Sequence, residues 1–251
     1  MSEYGVFGAY TLTNATLYVP AGCRAAYLAS DYWKEFAQII EMPVSITMAT
    51  SNGTSRTMKG YSNMVSLDFT NVTDVKPYIA VGYTDKQEVL LARVDIVPAN
   101  TGVVLLSKNA SVTVSVPTTT RDVYYVNMLL PAVENVTIQP TETIDGVDYT
   151  NLMVGPDEET GELGFIDFSK YGPQTASKNS YLRVPTSFYQ SAAAARPGGL
   201  GMVFVDSETT DIQELMKNGT TVNGIYDLQG RKVTPTKKGI YISNGKKFFV
   251  K

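Results

Sequence analysis

The chain has 251 residues, a formal net charge of −3, no histidine and a single cysteine, Cys23. Without histidine, the commonest general base and the commonest metal ligand are both missing, and one cysteine allows neither an intramolecular disulfide nor a cysteine-rich zinc site. The acidic balance argues against a nucleic-acid footprint, and 43% hydrophobic against 18% charged residues is a globular composition rather than a disordered one.

Residues 1–44 open with an extended piece, Thr16-Leu17-Tyr18-Val19-Pro20. Ala25 to Ala29 predict a short helical stretch. Ser30 and Asp31 are placed to cap a second helix over 32–38, on which Trp33, Phe36 and Ala37 would share one face. Ile39-Ile40-Glu41-Met42 closes the zone before Pro43.

Residues 45–206 read as a β domain of one or two subdomains. Thr, Val and Tyr favour a pleated, half-buried surface. Val44-Ser45-Ile46-Thr47-Met48 and Val65-Ser66-Leu67-Asp68-Phe69 alternate apolar and polar residues, as half-buried strands do. Ser51-Asn52-Gly53-Thr54 between them carries a hairpin pair. Further strands are predicted over 78–83, 89–96, 102–106, 112–116 and 123–128. After a turn-rich stretch come 149–154, 164–168, 181–184 and 201–205. Residues 191–195 predict a helical turn stopped by Pro197-Gly198-Gly199. Short strands at near-regular spacing point to a sandwich or barrel rather than to βαβ units.

Residues 207–251 begin with a linker or short helix over 210–217. Two strand pairs follow, one around Gln229-Gly230. The other turns at Ser243-Asn244-Gly245 between 239–242 and 247–250, the strongest hairpin signal in the chain. No apolar run approaches the ~18 residues of a membrane helix. Met1-Ser2-Glu3 has no charged-then-apolar leader, so an exported form would be a processed or truncated one.

Some of these residues are familiar. Thr16-Leu17-Tyr18-Val19-Pro20-Ala21-Gly22-Cys23, with Ala26-Tyr27 and Tyr32-Trp33-Lys34-Glu35-Phe36, resembles the last repeat of the leucine-rich-repeat surface proteins of Bacteroidetes-type bacteria. The stretches 224–233 and 238–247 resemble the terminal module of exported proteins in the same bacteria, akin to type IX sorting domains but shorter. Val97-Pro98-Ala99-Asn100-Thr101-Gly102-Val103-Val104-Leu105-Leu106, Asn151-Leu152-Met153-Val154-Gly155 and Ser180-Tyr181-Leu182-Arg183-Val184-Pro185 resemble a β-rich module of those proteins. The resemblance implies export, extracellular or cell-surface display, and adhesion to a host or neighbouring-cell surface protein or glycan. It brings no catalytic residue and no cofactor.

The residues themselves offer little chemistry. A Ser-His-Asp triad is impossible without histidine. Ser243-Asn244-Gly245-Lys246 matches Ser-x-x-Lys formally but falls on a turn. The carboxylates Asp157, Glu158, Glu159, Glu162 and Asp167 are available for glycoside hydrolysis or, with Asp145 and Asp148, for calcium; loop tips are the preferred reading. Pro197-Gly198-Gly199-Leu200-Gly201 lacks the Lys-Ser/Thr of a phosphate loop. Cys23 reads as a small packed hydrophobe. Tyr is abundant at 16 residues, and an aromatic ring offers an apolar face with a polar handle. The candidate ligand-binding residues are therefore Tyr124, Tyr125, Tyr171, Phe188 and Tyr189.

The fold class expected is mainly β: a β-sandwich-like central region, a small N-terminal α/β repeat-end cap over 1–44, and a short C-terminal β module. The function expected is non-catalytic adhesion or binding, with no nucleic acid as partner. A carbohydrate-binding accessory module, or a structural spacer between a repeat domain and the envelope, is the alternative. An exposed aromatic row on one sheet face would favour the carbohydrate reading.

Overall fold

Ile79-Ala80-Val81, Val89-Leu90-Leu91-Ala92 and Val103-Val104-Leu105-Leu106 are apolar at consecutive positions, so strands made from them must be buried on both faces. The computed structural model describes residues 6–49, 56–158, 160–195, 199–205, 225–226, 239–243 and 246–250. It is mainly β, at 48% strand and 13% helix, with three α-helices among the described residues.

The chain begins α1 (Ala9–Asn14), β1 (Thr16–Val19), α2 (Arg24–Ala29), a 3₁₀ turn (Trp33–Glu35) and β2 (Gln38–Glu41). Strands β3 (Val44–Ala49), β4 (Thr57–Tyr61), β5 (Leu67–Asp68), β6 (Lys76–Tyr83), β7 (Val89–Arg93), β8 (Ile96–Val97), β9 (Val103–Ser107) and β10 (Ser111–Val116) follow. Next come β11 (Leu129–Ala132), β12 (Val136–Ile138), β13 (Thr141–Ile144), β14 (Val147–Pro156), β15 (Leu163–Asp167), β16 (Gln174–Ala176) and β17 (Asn179–Pro185). Helix α3 (Thr186–Ala195) and β18 (Met202–Val205) lead to β19 (Ile225–Tyr226), β20 (Gly239–Ser243) and β21 (Lys246–Val250).

The three apolar runs are β6, β7 and β9, the middle of a sheet ordered β18-β7-β6-β9-β4. Alternate residues divide between two cores. Ile79, Ala92, Val103 and Leu105 face one side, where Ile46 and Met48 of β3 and Val116 of β10 cover them. Tyr78, Ala80, Val89, Leu91 and Val104 face the other, against Leu129, Leu152, Phe165, Leu182 and Val184 of the sheet β11-β17-β14-β13, with β15 beside β14. The β3–β10 cover is one-sided. Val114 opposes Ile46 and Val112 opposes Met48 on the inner face, while Thr47 meets Thr113 outside with their hydroxyls 3.0 Å apart.

A polar seam joins the two larger sheets. Ser180 Oγ donates to the Val103 carbonyl (2.8 Å) and Ser62 Oγ to the Asn179 carbonyl (2.7 Å). Gly60 of β4 lets the backbones approach this closely. A Cβ there would sit 2.3 Å from Asn179 Oδ1 and 2.6 Å from the Ser180 carbonyl oxygen.

At the N-terminus β1 and β2 pair in parallel, each residue meeting one 22 positions downstream, as Thr16 meets Gln38. Val19, Phe36 and Ile39 are buried there with Phe7, Leu12 and Trp33 around them. Helix α2 has no side-chain cap of its own; the Arg24 amide donates to Glu41 Oε1 at 2.9 Å instead. Burial pushes the Glu41 carboxyl up, but this hydrogen bond, with those of Thr118 and Gly22, leaves it below the usual range.

Several sequence expectations are corrected. The helix over 32–38 is only the turn Trp33–Glu35, because the Ala37 amide donates to Leu12 and Gln38 already pairs with Thr16. The strand over 65–69 shrinks to β5, since Val65, Ser66 and Phe69 bond to three separate segments around Asn63, Ala99 with Thr119, and Asp95. The strand over 89–96 divides into β7 and β8 around Val94, whose amide turns to the Pro77 carbonyl. Residues 191–195 are the end of a ten-residue helix, and 123–128 is not a strand at all. The hairpin of β20 and β21 is present, each strand one residue longer towards the turn than expected, with Ser243 opposite Lys246. The hairpin pair at 51–54, the stop at 197–198, the piece 210–217 and the Gln229-Gly230 turn lie outside the described residues.

Gly60→Ala is expected to destabilise the fold by about 2–3 kcal/mol through overpacking against backbone. Gly155→Ala, whose Cβ would first meet an atom at 4.0 Å, should shift stability by less than about 0.5 kcal/mol. Urea denaturation of the two variants measures both.

Candidate functional site

An open cleft of ≈ 310 Å³ lies between the loop 98–102 and the run 123–129. That volume is near the lower end of ligand pockets, roughly 300–1,000 Å³. Each wall is fixed by a local constraint. In the loop, Asn100 takes a left-handed φ of 56°, its amide donates to the Asn63 carbonyl (2.7 Å), and the Ala99 amide donates to Ser66 Oγ (3.0 Å). A Cβ at Gly102 would lie 3.0 Å from the Leu130 carbonyl, so the loop lies tightly against β11 and a side chain there would press on its backbone.

The second wall depends on Asn127. Its Oδ1 accepts from the amides of Ala80 and Leu129, both at 3.1 Å, and its Nδ2 donates to the Gly102 carbonyl at 2.7 Å. One side chain thereby satisfies a donor on β6 and an acceptor beside β9. The Met128 amide takes the Ala80 carbonyl at 2.8 Å. These are the groups that a strand over 123–128 would have paired with. The valines and tyrosines of that run have the composition of a strand, but the amide side chain has taken the ladder positions.

The five aromatic candidates do not converge. Tyr124 and Tyr125 line the cleft. Tyr124 is 79% exposed, while Tyr125 packs partly against the core under β3 and β10. Burial pushes the Tyr125 hydroxyl up, the Asp95 carboxylate adds to this and Arg121 opposes it. Tyr171 stands elsewhere on the surface, its hydroxyl donating to Glu158 beside Lys170. Phe188 and Tyr189 belong to α3 and pack on the second core, Phe188 with its ring 4.4 Å from that of Tyr83. Sequence reasoning missed Asn127, Asn100 and the loop wall. The Asn-x-Gly of 100–102 was the available signal, a left-handed asparagine followed by a glycine.

The aspartates among the acidic candidates serve turns. Asp157 Oδ1 accepts from the Thr160 amide (2.7 Å) and hydroxyl (2.8 Å), and Asp167 Oδ1 from the Ser169 amide (2.7 Å). Asp148 accepts from Thr143, Asp145 occupies a left-handed turn position, and Glu159 lies outside the described residues. Among the described residues no three histidine, cysteine or acidic side chains gather as a metal site. No helix among them is long and apolar enough to cross a membrane. Ser243 and Lys246 are cross-strand partners at the end of the β20–β21 hairpin, not one turn of a helix apart. No family model, curated protein or solved structure matches the chain.

Asn127→Ala is expected to lower stability by about 2–3 kcal/mol, because it orphans the Ala80 amide and the Gly102 carbonyl at once. Hydrogen exchange should accelerate at Ala80 and Leu129; unchanged exchange there would remove the role given to this side chain. A second expectation concerns pH. Burial raises the hydroxyls of Tyr61, Tyr125, Tyr181 and Tyr189 above the ordinary value. Their neutral forms therefore stabilise the fold below about pH 10, and that contribution is lost as pH rises through the folded-state values. With no histidine, stability should be nearly flat from about pH 6 to 8 and fall above about 10, as followed by thermal unfolding across pH.

Proposed function

We propose that the chain is a non-catalytic binding protein, exported and displayed on a bacterial surface, which recognises a surface protein or glycan through the cleft between 98–102 and 123–129. The observation that carries this reading is the cleft itself. It has a fixed floor at Asn127, a wall packed closely on β11 at Gly102, and an exposed Tyr124 at its rim. Tyrosine is among the residues that most often dominate binding energy. The absence of histidine agrees with recognition rather than catalysis.

The surface assignment draws on the resemblance to repeat-bearing surface proteins. The parallel pairing of β1 and β2 at a 22-residue offset supports it, since leucine-rich repeats run to roughly 20–29 residues. It agrees with a repeat-end cap over 1–44. A carbohydrate platform draws less support, because Phe188 and Tyr189 pack inward and Tyr124 lies off the sheets.

The test is an array of glycans and immobilised extracellular-matrix proteins, probed with the purified chain and with Tyr124→Ala. The expected result is reproducible binding to one class, weakened about tenfold in the variant at unchanged melting temperature. Silence on every surface, or equal binding by the variant, would count against recognition at this cleft.

A further inference from the structure

Among the described residues β10 has one partner strand, β3, and the two form a sheet by themselves over Ser111–Val116 and Val44–Ala49. In an antiparallel pair every second residue turns its amide and carbonyl away from the partner strand. Half of the β10 residues therefore present both groups on the edge opposite β3. Among the described residues no other backbone and no side chain bonds to the main chain of β10. Lysine and proline commonly blunt such an edge. On β3 a lysine is in place, since Lys59 Nζ donates to the Thr47 carbonyl at 3.0 Å. On β10 there is none. Ser111, Thr113 and Ser115 are exposed, Val112 and Val114 are half-buried, and neither charge nor proline interrupts them. The order Ser111-Val112-Thr113-Val114-Ser115 also reads the same in both directions.

We infer that β10 pairs antiparallel with β10 of a second copy of this chain, about a two-fold axis at Thr113. That axis sets Thr113 against its own counterpart, Ser111 against Ser115 and Val112 against Val114. Residues directly opposite share a face of the sheet, so hydroxyl meets hydroxyl outside and valine meets valine over the core. A slip of one residue would set valine against threonine and break this match. The hydroxyls of Thr47 and Thr113, 3.0 Å apart, begin a row that the second copy continues. The pairing also covers what is still exposed of Val112 and Val114, which pack partly on the core beneath β3 and β10. The chain bends at 108–110 before the strand and reaches Pro117 after it, so the ladder is confined to 111–115. The same patch serves both copies, and assembly closes at two. So short an interface gives weak association, with a dissociation constant on the order of 100 μM. None of these residues lines the cleft, so the pairing goes beyond the recognition reading and stands apart from it.

The experiment follows sedimentation of the full chain from about 10 to 500 μM, beside Thr113→Lys and Thr113→Glu. Thr113 is exposed, so both variants should fold, and their melting temperatures check this. Each variant sets like charges opposite one another at the axis, which opposes pairing. The expected result is a dimer of the unaltered chain at high concentration, weakened about tenfold or more in either variant. An equimolar mixture of the two variants should associate again, because only a residue on the axis faces its own counterpart. Hydrogen exchange should slow at alternate amides of 111–115 as the concentration of the unaltered chain rises. A chain that stays monomeric at about 500 μM, or that associates equally well as Thr113→Lys, would overturn the inference. So would a mixture that associates no better than either variant alone, or growth into species larger than a dimer. Glycan or matrix binding by such a monomer would leave recognition at the cleft standing.

Discussion

Burial of both faces of one sheet is the constraint on which the rest of the structure depends. Leu91, Val103, Val104 and Leu105 are fully buried, and burying a large aliphatic side chain is worth about 1.5–3 kcal/mol. A sheet that is apolar on both sides is stable only when the chain supplies two covers, one for each face. Strands β3 and β10 supply the first, though 62 to 72 residues separate their paired positions. The second comes from β11, β14, β15 and β17 with α3. The connections between cover and sheet are where the cleft forms.

The run between β10 and β11 carries the chain from one cover to the other. It must pass the edge of the central sheet, and a strand there would have needed a ladder of its own. Asn127 gives the sheet what it requires with one side chain, accepting from the Ala80 amide and donating to the Gly102 carbonyl.

Much of the β architecture was legible because its signals are local. β3 and β10 alternate apolar and hydroxyl residues, and β6, β7 and β9 each hold three or four consecutive apolar residues, so burial pattern followed from residue order. β20 and β21 announce themselves through alternating residues around Asn244-Gly245. The pairing of Asp145 with Gly146, both at positive φ, is an equally strong two-residue hairpin signal, and it joins β13 to β14 within a stretch that reads only as turn-rich. The failures came from long-range partners. The helix over 32–38 is cut to the turn Trp33–Glu35 because Gln38 already pairs with Thr16 as β2 begins, and no local propensity records that. The strand expected over 123–128 failed for the same reason in reverse. Its residues are right for a strand, but Asn127 and Met128 had already engaged Ala80.

The candidate site was half legible, and the half that was missed decides the mechanism. Abundance and an apolar face drew attention to tyrosine, and two of the five aromatic candidates do line the cleft. The rings alone would suit many flat ligands. What shapes the cleft is the side chain beneath them, since Asn127 holds the Ala80 amide and the Gly102 carbonyl where a strand would have paired. A sequence that spells a strand and a fold that builds none there are in local conflict, and such conflicts concentrate at functional sites.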